Sequence, residues 1–237
     1  YGMSDRRIRD ICYHSGKVKS GDLFVCLRGL RSDGHEYLLE AAKKGVAAIV
    51  AERGATVPVD GDILLYTEHF GIRGTELAER YGITVIVAED TRKALAELSA
   101  AFFGFPAKKL RMIGITGTKG KTTTSFLLAS VLREAGYRPG MIGTIQIDDG
   151  RRQIPAVNTT PESYEVQRYL AAMVENGCDC CVMEVSSQGL KMRRVHGICF
   201  DIGMFLNLEP DHIGEGEHAS FSEYLCCKSR LMRQCRI

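Results

Sequence analysis

The chain has 237 residues, 45% of them hydrophobic and 25% charged, a balance that excludes a disordered segment. With 31 Lys and Arg against 29 Asp and Glu the net charge is +2, which gives no electrostatic case for binding nucleic acid or an anionic membrane surface. The longest apolar runs, Val46 to Ala51 and Ile83 to Ala88, fall short of the ~18 residues that a membrane span needs.

Along the chain, short apolar runs alternate with amphipathic stretches, the pattern of an α/β fold. Leu23 to Leu27 is predicted as a strand, Glu36 to Lys44 as a helix and Val46 to Ala51 as a strand. Ile63 to Tyr66, a helix near Gly74 to Tyr81 and a strand at Thr84 to Ala88 continue the alternation. Thr91 to Phe103 carries apolar residues at Ala94, Leu95, Leu98 and Phe102, a helical period. Gly104, Phe105 and Pro106 break that helix, so two domains are expected, residues 1–107 and 108–237. In the second, a strand at Leu110 to Ile115 runs into a glycine-rich turn and a helix from Lys121 to Ala135. Strands are expected near Met141 to Ile147, Cys180 to Val185 and Ile202 to Leu206, and helices at Glu162 to Asn176 and Phe221 to Met232. Strand, helix and strand in this order predict a mostly parallel sheet with right-handed crossovers. Both ends are expected to be incomplete, since the chain opens without an initiator Met and stops where an apolar run begins.

Nine cysteines without regular spacing, behind polar opening residues that lack a leader's apolar run, predict reduced thiols in a cytoplasm. Cys178 and Cys181 form a lone C-x-x-C with no second pair at zinc-ligand spacing. Buried strand packing is the preferred reading there over redox or zinc chemistry.

The residues that carry chemistry begin at Gly114-Ile115-Thr116-Gly117-Thr118-Lys119-Gly120-Lys121-Thr122-Thr123-Thr124. This run follows a predicted strand and opens a predicted helix, the setting of a phosphate-binding loop. Glycines let backbone amides turn inward around phosphate oxygens, and the helix N-terminus adds partial positive charge. In that reading Lys121 meets the β- and γ-phosphates and the Thr122 hydroxyl holds Mg²⁺, although the match is to a shortened form, G-T-x-G-K-T. A purely structural turn is disfavoured by the poor helix propensity of Lys-Thr-Thr-Thr. Asn158-Thr159-Thr160-Pro161-Glu162 reads as a helix cap, with Asn158 and Thr159 open to a second role. Glu184 ends an apolar strand, where ligands of open α/β sheets bind, as a Mg²⁺ ligand or a cap of the next turn. His212, in Asn207-Leu208-Glu209-Pro210-Asp211-His212, is balanced between ligand and packing residue. Lys228 by itself reads as part of a solvated helix face.

Together these residues resemble the Mur ligase family, ATP-dependent amide-forming enzymes of peptidoglycan synthesis. The likeness rests on Thr116 to Thr123, Asn158-Thr159-Thr160-Pro161, Glu184-Val185-Ser186-Ser187, Asn207 with Asp211-His212, and Lys228. In the first domain it rests on Lys17 to Val25 and Ser32-Asp33-Gly34-His35. Within the family the pieces favour the member that joins a diamino acid, meso-diaminopimelate or L-lysine, to UDP-N-acetylmuramoyl-L-alanyl-D-glutamate through an acyl phosphate. The resemblance implies a small α/β UDP-binding domain followed by a P-loop-type central domain with an incomplete, mostly parallel sheet, and a monomer needing ATP and Mg²⁺. It implies that Gly117, Thr118, Lys119, Gly120, Lys121, Thr122, Thr123 and Asn207 bind ATP. Thr122, Glu184, His212 and Lys228 as its carbamate would hold metal, with Lys121, Lys228, His212 and Glu184 catalytic. Ser15, Asn158, Thr159, Thr160, Ser186 and Arg194 would bind the muramoyl dipeptide.

The chain departs from the family pattern at several places. It has His14-Ser15-Gly16 where Asp-Ser-Arg is frequent, Lys119 for an Asn, Gln188 for a His and Met192 for a Gln, and a long stretch from Tyr66 to Tyr81. Such a piece is expected to lack the C-terminal domain and to be inactive alone. The competing readings are a folylpolyglutamate synthase-like ligase, a P-loop kinase or GTPase, and an inactive UDP-sugar-binding remnant.

Overall fold

The computed structural model describes residues 2–3, 5–29, 32–59, 63–66, 77–211, 213–214 and 216–236, with 56–59 and 63–66 described by their backbone alone. The chain divides into two compact units, residues 1–95 and 96–237. The division falls inside the helix Thr91–Phe102, ahead of the Gly104-Phe105-Pro106 break.

The first unit is built on a four-stranded sheet in which every neighbouring pair is parallel. Its strands are β1 (Ile11–Cys12), β2 (Leu23–Val25), β3 (Ala48–Glu52) and β6 (Thr84–Ala88), in that spatial order. A separate antiparallel pair, β4 (Thr56–Val59) with β5 (Ile63–Tyr66), supplies a strand that the sequence pattern did not predict. The first four residues of β3 are buried, which is why it reads as an unbroken apolar run rather than an alternation. The predicted helix Glu36 to Lys44 divides into a 3-10 turn, Gly34–Tyr37, and α1 (Leu38–Lys43). The Asp33 side chain accepts the His35 amide and so caps the 3-10 turn. Leu38, Ala41 and Ala42 of α1 close over Phe24, Ile49, Ile83 and Val85. Residues 77–81 are helical (α2), whereas 67–76, the greater part of the long Tyr66 to Tyr81 stretch, lie outside the described residues.

The second unit begins within α3 (Thr91–Phe102) and holds a six-stranded sheet. Its spatial order is β10 (Gln153–Pro155), β9 (Gln146–Asp148), β8 (Pro139–Ile142), β11 (Cys180–Glu184), β7 (Arg111–Thr116) and β12 (Ile202–Phe205). The last four run parallel, so their carboxyl ends share one edge, with Glu184 beside Ile115 and Phe205 beside Thr116. Helices α4 (Lys121–Glu134), α5 (Ser163–Glu175), α6 (Ser187–Lys191) and α7 (Phe221–Arg233) complete the unit. α5 buries Val166, Leu170 and Met173 on one face. The expected single strand from Met141 to Ile147 is instead a hairpin: the chain turns at 143–145 and β9 returns antiparallel to β8. Gly143 makes that turn possible, because a Cβ there would stand 2.4 Å from a Glu184 carboxylate oxygen. Among the described residues no helix is long and apolar enough to cross a membrane.

Candidate active site

The loop after β7 is shaped by two glycines. A Cβ on Gly117 would press to 3.1 Å of Leu206 Cβ, and Gly120 holds φ +82 as the N-cap of α4. No side chain caps α4, so its first amides stay available to an anion. Lys121 Nζ folds back and donates to the carbonyls of Gly117 (2.8 Å) and Thr118 (3.1 Å). Lys228, from the middle of α7, donates to the same Gly117 oxygen at 2.7 Å. The sequence reading of Lys228 as part of a solvated face is therefore corrected: this residue is 1% exposed, with its ammonium 4.5 Å from the Tyr224 ring centroid. Burial and the neighbouring Lys121 charge push the Lys228 pKa down to about 8, against the pull of Asp211. Burial likewise lowers Lys121, opposed by Glu184 and Asp211. Two ammoniums on one carbonyl oxygen form a concentration of positive charge that an anion would relieve.

Asn207 acts on the loop's backbone. Its Oδ1 accepts the Lys119 amide at 2.9 Å, its Nδ2 donates to the Lys119 carbonyl at 3.1 Å, and its own carbonyl accepts the Thr118 amide. Only the backbone of Lys119 is gripped, while its side chain reaches out to Glu209, which explains why Lys can stand where the family has Asn. Thr118 turns inward: its hydroxyl lies 3.1 Å from the Tyr224 hydroxyl and accepts the Glu209 amide. Thr123 is exposed on the first turn of α4.

Glu184 is fully buried at the end of β11, and four donors converge on its carboxylate. Thr122 Oγ1 (2.9 Å), Thr144 Oγ1 (2.9 Å), the Thr144 amide (3.0 Å) and Ser125 Oγ (3.4 Å) supply them. The carboxylate and the two threonine hydroxyls are hard oxygen donors at one strand edge, the ligand type that Mg²⁺ takes. This donor set fits the metal, and the glycine loop with its two ammoniums fits a polyphosphate.

On the next turn, the Thr159 hydroxyl lies 3.0 Å from Thr144 Oγ1 and donates to it, since the Thr144 proton goes to Glu184, and Asn158 is exposed. Thr160 is buried and donates to the Glu184 carbonyl, while its hydroxyl also accepts the Ser186 amide. Ser186 caps α6, and Arg194 donates to the Thr160 carbonyl and faces Glu162. Thus Thr160, Ser186 and Arg194 knit the 158–162 turn to the end of β11. Ser15 lies in a 3-10 turn of the first unit, where its carbonyl accepts from Lys44. His14 caps that turn, accepting the Gly16 amide through Nδ1. His212 lies outside the described residues.

Sequence reasoning missed Thr144, Ser125 and Tyr224. Thr144 follows a parallel strand directly, the position where ligand-facing residues gather, but reading Met141 to Ile147 as one strand hid that strand end. All nine cysteines are free, and burial raises the thiols of the C-x-x-C pair, Cys178 to about 11 and Cys181 further, which leaves them inert.

Comparison with known proteins bears on this geometry. Residues 115–237 match the family model of the Mur ligase middle domain, and residues 7–103 that of the Mur ligase family catalytic domain. A UDP-N-acetylmuramoyl-L-alanyl-D-glutamate--2,6-diaminopimelate ligase of Bacillus licheniformis is 44% identical over 233 residues, 98% of this chain and 42% of the relative. The Clostridium perfringens protein of the same name is 40% identical over 98% of this chain and 43% of its own length. The chain therefore spans about two fifths of the curated relatives it matches. Among solved structures, one of a 2,6-diaminopimelate ligase of that name aligns with TM-score 0.70 at 21% identity, over 97% of this chain and 42% of the other. The MurF ligase of Thermotoga maritima, in complex with ADP, aligns with TM-score 0.58 at 21% identity, over 99% of this chain and 45% of the other. At that identity the likeness is one of fold.

Proposed function

Given that this chain belongs to the Mur ligase family, we propose that it is part of an ATP-dependent ligase of peptidoglycan synthesis. The reaction joins 2,6-diaminopimelate to UDP-N-acetylmuramoyl-L-alanyl-D-glutamate, the substrates that the relatives' names state. Residues 1–107 would bind the UDP-sugar end and 108–237 the nucleotide. The observation that carries this reading is the meeting of Lys121 and Lys228 on the Gly117 carbonyl, beside the uncapped N-terminus of α4 and the buried Glu184.

When bound, ATP supplies the phosphoryl group and Mg²⁺ the charge neutralisation by which the dipeptide's terminal carboxylate becomes an acyl phosphate open to an amine. The chain's residues make that meeting of like charges tolerable. The uncapped amides at the start of α4 and the Lys121 ammonium receive phosphate oxygens, and releasing Lys121 from the Gly117 and Thr118 carbonyls is the movement the site requires. Thr122 and Glu184 present the oxygen donors for Mg²⁺, and Thr144 keeps the Glu184 carboxylate in place. Lys228, with its proton loosened by burial, offers a neutral amine that adds CO₂ and loses a proton to become a carbamate, turning a cation into an oxygen ligand. His212 keeps the metal role implied by the resemblance. Asn207, Thr160 and Ser186 act through the backbone they brace, leaving Asn158, Thr159 and Arg194 for the muramoyl dipeptide and Ser15 for the uridine end. The free thiols support a cytoplasmic protein, here proposed to be a monomer.

The test is product formation by the full-length protein with ATP, Mg²⁺, the UDP-muramoyl dipeptide and diaminopimelate, with L-lysine as the rival amine. ADP release tied to one new amide bond, lost in Lys228→Ala, is expected. ATP turnover that ignores the UDP-muramoyl dipeptide would overturn the reading.

A further inference from the structure

Away from the phosphate loop, the start of α7 gathers three side chains that the proposed reaction leaves unused. His218 lies just before the N-cap Ser220, and Glu223 and Cys227 follow one turn apart on the helix, at i and i+4. One donor atom from each lies within 4.8 Å of the other two, with His218 Nδ1 4.0 Å from Glu223 Oε2. His218 and Cys227 are each 1% exposed, whereas Glu223 is half-buried and gives access from solvent. The imidazole rests against the Tyr224 ring, centroids 5.2 Å apart, which fixes its plane. The Glu223 carboxylate accepts the Ala219 amide and pairs with Lys191 at 3.0 Å, contacts that hold it ionised and leave lone pairs over.

We propose that His218, Glu223 and Cys227 form a binding site for a zinc-class divalent cation, separate from any magnesium at the nucleotide. One nitrogen, one sulfur and one oxygen donor with a fourth position for water is a zinc ligand set. Imidazole and thiolate select against Mg²⁺, which takes oxygen. Bonds of about 2.0–2.3 Å place tetrahedral ligands roughly 3.3–3.8 Å apart, so the cluster must close by about 1 Å, a movement within reach of the half-buried Glu223. Binding displaces the Cys227 proton. A cation here ties the segment before α7 to the helix one residue ahead of Lys228.

The test adds Co²⁺ to the reduced full-length protein in excess Mg²⁺ and follows absorbance. One equivalent should bind with a cobalt–thiolate charge-transfer band that Cys227→Ser abolishes, and His218→Ala should weaken binding by at least about 10- to 100-fold. Glu223→Gln, at a half-buried position, keeps an acceptor for the Ala219 amide and guards against loss by misfolding; it should weaken binding while Tm without metal falls only slightly, from loss of the Lys191 pair. Absence of the band, its survival in Cys227→Ser, or affinity unaffected by His218→Ala would each overturn the site.

Discussion

Both units bury polar side chains against a parallel sheet, yet they use them in opposite ways. In the first, buried polar groups serve the local backbone. Asp22 accepts the Lys19 amide and pairs with Arg9, and His35 accepts the Glu52 amide through Nε2. That acceptor role puts the proton on Nδ1, which donates to Asp33. Gly34 permits this, since a Cβ there would meet the Leu27 amide nitrogen at 2.7 Å. In the second unit, polar groups from four separate segments, with Glu184 and Lys228 fully buried among them, meet at the strand ends. Glu184 collects hydroxyls from α4 and the β8–β9 turn, and two lysines share one carbonyl. A closed set of partners stabilises a fold, whereas a surplus of like charge requires a ligand.

The sharpest way to break this contrast is Lys121→Ala in the full-length protein. Turnover should fall by about 10²–10³-fold, the scale of losing one preorganised charge-stabilising group, with Tm little changed; near-normal turnover would remove the distinction. Glu184→Ala should cost activity and, more modestly, stability, because the half-buried Thr122 hydroxyl and the Thr144 hydroxyl and amide lose their acceptor, at about 0.5–1.5 kcal/mol for each hydrogen bond. His35→Ala is the counterpart in the first unit. By orphaning the Glu52 amide it should lower stability in urea by about 1–3 kcal/mol, while Lys121-dependent turnover per folded molecule persists.

Titration sharpens the comparison further. Below pH about 8 Lys228 is charged in both folded and unfolded chains, and the native state bears the full cost of burying it. Between about 8 and the ordinary 10.5 the unfolded lysine still holds its proton while the native one has released it, so stability should rise with pH across that window. CO₂-free urea melts should show a steeper rise in the wild type than in Lys228→Met, which keeps only the contribution of the likewise lowered Lys121. The smallest effect belongs to Tyr224→Phe, which removes the hydroxyl facing Thr118 and should cost about 0.5–1.5 kcal/mol in the same melts.

Much of this was legible beforehand, for reasons particular residues make plain. Cys180–Glu184 announces itself because a central parallel strand is apolar on both faces, while the edge strands Thr84–Ala88 and Ile202–Phe205 are legible as short runs rich in β-branched and apolar residues. The loop at Gly117 to Thr122 was readable because a glycine turn entering a helix is a local device. The hairpin at 143–145 was not, since its glycine is demanded by the Glu184 carboxylate, 41 positions away in the chain.

The amino-acid order alone determined the alternation of strand and helix, the phosphate-loop turn and the family likeness, because each depends on neighbours within a few residues. Tertiary structure decided that Lys228 is buried against Gly117, that Thr144 and Ser125 serve Glu184, and that Asn207 grips the loop through its backbone. Those partners meet only when parallel strands bring their carboxyl ends to one edge, and the burial that follows sets the charge each side chain can carry.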